Sequence, residues 1–292
     1  MTTRTAFSLL VLSLTFGASA ELVVLKHGEA TCAVDTDDGA RIISWKVNGD
    51  ERLWMPKKGA TDAKWRHGGI PLCWPWICDG WPKDAPHSPH GLAWCGKFAV
   101  KERVTDAAGD RLTMTFSAWG LSLEYTVALA DSLSFVIKSK NESLQLKTLQ
   151  FSIHPYFRLE NRDLTALTGL EGLVFHDMRE GKETNAVWKG EMKITDTFDH
   201  EFYRKSMRQL PATICELNGR RLEIASPQSD MLVVWNPGPA WTTEGTELYG
   251  GLEPDAWRHF MSVEPSIVPY TLIPGETRIF TARMRAWGGG GK

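Results

Sequence analysis

The side chains best suited to chemistry in this sequence are two histidines and a carboxylate held between apolar neighbours. His154 lies in the run Phe-Ser-Ile-His-Pro-Tyr-Phe, Glu264 follows Phe-Met-Ser-Val, and His90 lies in Pro-His-Gly-Leu-Ala. Apolar surroundings disfavour the charged forms of such groups and move their pKa values away from the ordinary range. They therefore indicate acid and base catalysis on a neutral polyol. Each also suits a structural place, as a core histidine or a solvated strand end.

Other kinds of catalytic machinery are less well supported. The sequence has no Gly-x-Ser-x-Gly nucleophile turn and no glycine loop of the kind that holds phosphate. Paired carboxylates for glycoside hydrolysis remain open at this level, because their separation cannot be read from a sequence. The pattern favours proton transfer over a nucleophilic triad.

His90 belongs to a long irregular stretch, residues 66 to 100, that predicts a loop built to form a site. Its glycines and prolines forbid a continuous helix, and its tryptophans offer flat apolar surfaces with a polar N–H edge. Long irregular segments inside a compact chain are usually functional. We expect Trp76 to be a sugar contact on this argument, and core packing is the alternative interpretation.

Short apolar and β-branched runs between turn residues predict the elements that position these groups. Residues 40–46 alternate and precede Asn48-Gly49, a strong cue for a hairpin. Similar runs predict strands at 21–26, 97–104, 111–117, 121–128, 132–139, 149–157, 172–175, 215–217, 221–225, 231–235, 260–263 and 277–283. No amphipathic helix stands out, and the remainder of 158–189 stays unassigned. The pattern predicts an all-β protein with two packed sheets in a single domain, residues 21–287.

Composition and the chain ends bear on partners and compartment. The formal net charge of -2 and the pI of about 6.5 give no basic field for a nucleic-acid partner. Residues 1–20 have a positive head, an apolar run and an Ala-Ser-Ala ending, which predict a signal peptide cleaved near Ala20. No later apolar run has the length of a membrane span. We expect a secreted or periplasmic monomer with a disordered glycine-rich tail at 288–292.

Five cysteines leave at least one thiol unpaired within a single chain. Cys78 and Cys95 bracket much of the irregular stretch, so a disulfide between them would pin it in an oxidising compartment. Zinc ligation by cysteines and histidines of the same stretch is the alternative. The spacing fits no common zinc pattern, and the predicted export favours the disulfide.

Five ordered motifs carry a resemblance to a known family. They are Gly-Gly-Ile-Pro-Leu-Cys-Trp-Pro-Trp from residue 68, His-Gly-Leu-Ala from 90, His-Pro-Tyr-Phe from 154, Val-Trp-Asn-Pro-Gly-Pro-Ala from 234, and Val-Glu at 263–264. Together they resemble the D-hexose-6-phosphate mutarotases, the glucose-6-phosphate 1-epimerase branch of the aldose 1-epimerase superfamily. Their order and spacing extend over nearly the whole chain after residue 20.

The resemblance implies a galactose-mutarotase-like β-supersandwich that needs no metal or organic cofactor. By similarity, His154 is the general acid that protonates the sugar's ring oxygen, and Glu264 is the general base that deprotonates the anomeric hydroxyl. The ring opens to the aldehyde and closes on the other carbonyl face. His90 is expected to orient the sugar. Further substrate contacts implied by the motifs, or by an Asp-x-x-Tyr-like element with one extra residue, are Trp235, Asn236 and Asp199.

Two departures from the family pattern concern the sugar's phosphate. The family usually has an arginine immediately before Gly-Gly-Ile-Pro and another closing the His-Gly-Phe-Ala motif, where this chain has His67 and Trp94. Arg66 is one position early, although a bulge could restore it as a substrate contact. Together with the predicted export, this favours an unphosphorylated hexose or related sugar over a sugar phosphate. A non-catalytic carbohydrate-binding module and a polysaccharide lyase or hydrolase are the alternative functions.

Overall fold

The computed structural model describes residues 22–56, 67–80, 82–179, 185–190, 192–193, 197–203, 211–216, 218–239 and 252–288. The described strands are antiparallel, as the alternating runs of the sequence predict, but they form three sheets rather than the two expected. The smallest sheet is a meander of β1 (Leu22–His27), β2 (Ala30–Asp35), β3 (Arg41–Val47) and β4 (Asp50–Glu51). The predicted Asn48-Gly49 hairpin is confirmed between β3 and β4, where both turn residues have positive φ angles, 54° and 76°.

A second, eight-stranded sheet carries the residues singled out above. Its main path runs β14-β13-β16-β19-β20-β10-β5, and β11 also pairs with β20. The strand bounds are β5 Leu72–Cys73, β10 Lys147–Ile153, β11 Tyr156–Arg158, β13 Val174–Asp177, β14 Ala186–Val187, β16 Phe198–Tyr203, β19 Met231–Asn236 and β20 Phe260–Leu272.

The third sheet has nine strands and covers the core from the other side. Its order is β15-β12-β17-β18-β21-β9-β8-β7-β6. The bounds are β6 Ala99–Asp106, β7 Gly109–Ala118, β8 Leu121–Leu129, β9 Leu133–Asn141, β12 Thr165–Thr168, β15 Met192–Lys193, β17 Ala212–Glu216, β18 Arg221–Ala225 and β21 Thr277–Trp287. Two 3-10 turns, Arg162–Leu164 and Ala256–Arg258, complete the described elements.

Alternation along the strands places one face of the eight-stranded sheet in the core and the other toward the candidate site. On β19, Leu232 and Val234 join the main core, whereas Val233 and Trp235 belong to a second apolar cluster on the opposite face. On β20, Val263 joins the main core. Because successive side chains of a strand point to opposite faces, Glu264 is on the face of the second cluster.

Two strand predictions are wrong in ways that matter for the site. The run 149–157 is divided into β10 and β11 at His154-Pro155, since proline has no N–H to continue the ladder. Glu264 does not end its strand: β20 continues past it to Leu272, and the residue is only 4% exposed. The interval 158–189, left unassigned above apart from 172–175, contains β12, β14 and the turn at Arg162–Leu164, and β13 (Val174–Asp177) overlaps the predicted run.

Candidate active site

The structure brings His154 and Glu264 into direct contact. His154 Nε2 lies 3.3 Å from Glu264 Oε1, and the two residues are 6% and 4% exposed. The break between β10 and β11 releases His154 from the ladder, and its backbone N–H donates to the Pro71 carbonyl at 3.0 Å. The imidazole lies flat on the Tyr156 ring, with centroids 4.8 Å apart and planes 5° from parallel. The predicted acid and base are therefore held as one buried pair.

A buried serine holds the far nitrogen of His154. The Ser262 Oγ lies 2.9 Å from His154 Nδ1 and donates to the Pro155 carbonyl at 2.6 Å. Ser262 is two residues before Glu264 on β20, so both side chains are on the same face of the sheet. One strand therefore supplies a partner for each nitrogen of the imidazole.

Two further serines hold the carboxyl group of Glu264. Ser152 Oγ donates to Glu264 Oε2 at 2.9 Å, and Ser266 Oγ donates to Ser152 Oγ at 2.7 Å. Burial raises the pKa of Glu264 well above its ordinary value, and the nearby Asp199 carboxylate raises it further, while the Ser152 hydrogen bond lowers it. The carboxyl group is thus fixed in orientation, and burial favours its protonated form.

Burial acts in the opposite sense on the histidine. Desolvation lowers the pKa of His154 well below its ordinary value, and the nearby His90 and His67 lower it further. Burial therefore disfavours the charged form of both groups, which favours a neutral pair with one proton between Nε2 and Oε1. Such a pair can exchange that proton without creating a charge that lacks a partner.

His90 lies beside this pair with its ring orientation fixed by backbone contacts. Its ring Nδ1 accepts from the Cys78 backbone N–H at 3.1 Å, and the backbone N–H of His90 donates to the Cys78 carbonyl at 3.0 Å. The neutral ring therefore carries its hydrogen on Nε2. Burial, followed by the neighbouring His67, lowers the pKa of His90 to about 3. His90 and His154 meet edge to face at 5.6 Å, so His90 supplies a neutral donor next to the acid–base pair.

His67 and Trp94, the two departures from the family motifs, both line the same cluster. His67 stacks on Trp235 at 6.2 Å, and its Nδ1 is 3.0 Å from the Tyr156 hydroxyl. Trp94 packs on His90 at 4.5 Å and is 2% exposed. The Arg41 guanidinium lies over the Trp94 ring at 6.0 Å and donates to the His67 carbonyl at 3.3 Å. One buried cation thus supports both replaced positions.

The strand register places carboxylates on the same face as the pair. Glu201 is opposite Val233, and Val233 is opposite Glu264, while Asp199 is opposite Trp235. Burial raises the pKa of Asp199 to about 6, and the adjacent Glu201 adds to this rise. Trp235 meets His154 edge to face at 5.9 Å. The predicted contacts His90, Asp199 and Trp235 are therefore grouped around His154 and Glu264.

Two other predicted substrate contacts are not grouped with the histidines and Glu264. Trp76 packs edge to face on Trp119 at 5.8 Å and donates to the Ser88 carbonyl at 2.7 Å, so it supports the loop rather than facing the histidines. Asn236 donates to the Trp257 and Phe260 carbonyls and accepts from Gly238, which occupies its amide in tying loops together. Arg66 lies outside the described residues, as do residues 1–20 and 289–292.

The expected disulfide between Cys78 and Cys95 is not formed. The loop is closed instead by the paired hydrogen bonds between Cys78 and His90, and by the donation of the Leu92 N–H to the Trp74 carbonyl at 2.7 Å. Across the described ranges, no three His, Cys, Asp or Glu side chains are grouped as metal ligands would be. No described helix is long and apolar enough to cross a membrane.

Sequence reasoning missed the residues that hold the catalytic candidates. Tyr156 comes two residues after His154 in the motif, but its stacking on the imidazole depends on the break at Pro155. Ser152, Ser262 and Ser266 come from two strands that are far apart in the chain. Period-two alternation with Glu264 was a usable signal for Ser262 and Ser266. No local signal pointed to Arg41.

Comparison with known proteins gives consistent matches. The family model described as aldose 1-epimerase matches residues 21–285. A curated protein of Cenchrus ciliaris, "Putative glucose-6-phosphate 1-epimerase", is 25% identical over 286 residues, covering 88% of this chain and 82% of its own length. The crystal structure of a "putative mutarotase" from Salmonella typhimurium matches with a TM-score of 0.77 at 20% identity, over 92% of this chain and 90% of its own. A galactose 1-epimerase structure from Lactobacillus acidophilus matches at 0.68 with 15% identity, over 90% and 92%.

Proposed function

Because the chain belongs to the aldose 1-epimerase family, we propose that it is a mutarotase of unphosphorylated hexoses or related sugars. The galactose-mutarotase-like all-β fold predicted from the sequence is confirmed by the structural matches. The family and the names of its relatives indicate an isomerase of the epimerase type. The identity of the sugar and the residue roles are the content of the proposal.

The observation that carries the proposal is the buried contact between His154 Nε2 and Glu264 Oε1 at 3.3 Å. Mutarotation needs one proton delivered to the ring oxygen and one removed from the neighbouring anomeric hydroxyl. Those two oxygens are bonded to the same carbon, so a donor and an acceptor in contact with each other match their separation. Each positioned group contributes roughly 10² to 10⁴ in rate.

The reaction follows from moving the shared proton. Transfer from Glu264 to His154 Nε2 creates an imidazolium and a carboxylate. The imidazolium protonates the ring oxygen while the carboxylate takes the anomeric hydroxyl proton. The bond between the anomeric carbon and the ring oxygen breaks, and a carbonyl forms. After rotation about the adjacent carbon–carbon bond, the reverse transfers close the ring on the other face, so atoms and charges balance.

The surrounding residues suit a neutral sugar. His90 presents an Nε2–H donor, and Asp199 presents an acceptor for hydroxyl groups. Trp235 offers a flat apolar ring beside His154. These groups would orient the ring so that its two reacting oxygens face the pair.

Electrostatics favour an uncharged substituent over a phosphate. Trp94 has no charged fork for phosphate, and burial, followed by the Arg41 charge, lowers the pKa of His67 to about 3, so its ring is neutral. Asp199 and Glu201 place negative charge on the same face of the sheet. A phosphate near these carboxylates would be repelled rather than held.

Exchange NMR tests the substrate class directly. The rates of α to β exchange are measured for glucose, galactose and their 6-phosphates, with heat-inactivated protein as the background. We expect faster exchange for at least one unphosphorylated sugar. Acceleration confined to a 6-phosphate would contradict the substrate assignment, and sugar binding by calorimetry with no acceleration for any sugar would contradict catalysis.

We also propose that the protein acts after export, on the basis of the signal-like residues 1–20. Hexose phosphates are mainly cytoplasmic metabolites, so an exported site would meet unphosphorylated sugars. Fractionation of cells that express the full chain tests this, with N-terminal sequencing of the mature product. Retention of an intact N-terminus in the cytoplasm would contradict it.

A further inference from the structure

The hydroxyl of Ser262 has one proton to give, and it lies near the Pro155 carbonyl, His154 Nδ1 and the Glu264 carboxyl group. Its Oγ is 2.6 Å from the Pro155 carbonyl oxygen and 2.9 Å from His154 Nδ1. Ser262 is fully buried, and His154 is nearly so. Because both side chains are buried, the groups around them decide which atom donates and which accepts in each hydrogen bond.

These roles assign the hydrogen on the imidazole. The Pro155 carbonyl oxygen can only accept and makes the shortest contact, at 2.6 Å, so it takes the single proton of the Ser262 hydroxyl oxygen. The same oxygen must then accept from His154 Nδ1, which makes Nδ1 the nitrogen that carries the hydrogen in the neutral ring. The opposite tautomer would set the lone pair of Nδ1 against the lone pairs of the serine oxygen in a buried site.

The other ring nitrogen, Nε2, is then the atom that can accept a proton. With Nδ1 protonated, the neutral ring has a lone pair on Nε2, and this nitrogen is the one 3.3 Å from Glu264 Oε1. The proton that moves between the two groups and the sugar can then be accepted by Nε2 alone. A ring with its hydrogen on Nε2 could not take a proton from Glu264.

We propose that Ser262 is a positioning residue that holds His154 in its Nδ1–H tautomer and so keeps Nε2 as the proton-exchanging atom. The proposal rests on the mutarotase function only for its effect on rate. The tautomer itself is a property of the resting protein. The serine's place on β20, two residues before Glu264, makes one strand responsible for both the base and the tautomer of its partner.

The test combines a spectroscopic signature with kinetics. In protein labelled with ¹⁵N-histidine, the His154 signals are identified by their absence in His154→Gln. We expect a protonated Nδ1 and an unprotonated Nε2 in the wild type. In Ser262→Ala both tautomers should be populated, kcat for anomer exchange should fall about 10- to 100-fold, and KM should change little. Ser262→Thr, which keeps the hydroxyl, should restore the wild-type signals and most of kcat.

Ser139→Ala is the matched control. Ser139 is also fully buried, and its Oγ accepts from Trp74 Nε1 at 2.9 Å on the nine-stranded sheet. Its loss should lower stability but leave the His154 tautomer and kcat as they are. A wild-type spectrum with hydrogen on Nε2, or an unchanged kcat in Ser262→Ala, would overturn the proposal. Absence of exchange activity in the wild type would overturn the mutarotase function instead, while the spectrum still decides the tautomer.

Discussion

Removing the hydroxyl of Ser152 should destabilise the ionised form of Glu264 relative to its protonated form, without altering the contacts of the sugar. In Ser152→Ala the carboxyl group loses its donor at 2.9 Å, and the Ser266 hydroxyl, which donates to Ser152, remains next to the Glu264 carbonyl at 3.1 Å. The lost hydrogen bond favours the carboxylate over the carboxylic acid. The pKa of Glu264 should therefore rise further above its ordinary value.

The expected magnitude follows from the kind of bond that is lost. A hydrogen bond to a charged group contributes about 1.5 to 3 kcal/mol. If that stabilisation is needed each time the shared proton leaves Glu264, kcat should fall about 10- to 100-fold, since about 1.4 kcal/mol corresponds to a factor of ten. KM should change little, because Ser152 is behind the carboxyl group and 1% exposed.

The assay is saturation-transfer NMR of anomer exchange at several sugar concentrations and pH values. The limb of the kcat profile that reports ionisation of the pair should move to higher pH in Ser152→Ala. Ser139→Ala serves again as the control for loss of a buried hydroxyl. A kcat within about twofold of the wild type, or a profile that moves to lower pH, would refute the role assigned to Ser152.

Three further variants test the rest of the site. Asp199→Asn removes a group whose pKa is raised to about 6 in the folded protein. As pH rises from 4 to 7, the wild type should therefore lose up to about 2 to 3 kcal/mol of unfolding free energy relative to this variant. Urea unfolding of both proteins at both pH values measures this, and an equal stability difference at the two pH values would contradict it. Asn236→Ala leaves two buried carbonyls without their donor and should cost about 2 to 4 kcal/mol of unfolding free energy. Weakened sugar binding at unchanged stability would instead show that Asn236 contacts the sugar, as the sequence predicts. Gly91→Ala places a Cβ 2.2 Å from the Trp74 carbonyl oxygen at a φ of +86°, and its Tm should fall clearly; an unchanged Tm would mean that this close approach relaxes at no cost.

Much of the fold was predictable because alternation and turn residues act locally. The Asn48-Gly49 hairpin is confirmed, as are strands at most of the predicted runs. The same local rules failed at His154-Pro155, where a continuous apolar run concealed the break that frees the histidine. They also failed at Glu264, because the apolar run 260–263 was taken as the whole strand, whereas β20 continues through Pro265 to Leu272. Proline alone does not show whether a strand stops.

The grouping of the candidate side chains was predictable from the motifs, but the residues that support them were not. His154, Glu264 and His90 could be named from their motifs, and the departures at His67 and Trp94 do fall within the cluster. Trp76 shows the limit of reasoning from residue type, because a tryptophan in a motif can equally pack on a neighbouring ring and support its own loop. Partners such as Ser152 and Arg41 come from other strands, and their placement depends on sheet register, which the sequence does not state.

The central claim is that His154 and Glu264 act as one proton-exchanging pair, and a double-mutant comparison of exchange rates tests it most directly. Exchange NMR is run on the wild type, His154→Gln, Glu264→Gln and the double variant, with the preferred sugar. Each single variant should lose roughly 10² to 10⁴ in kcat, and the double variant should be little slower than the slower single one, because groups that act as a unit are not additive. Equal rates in the wild type and Glu264→Gln, or fully additive losses, would contradict the claim.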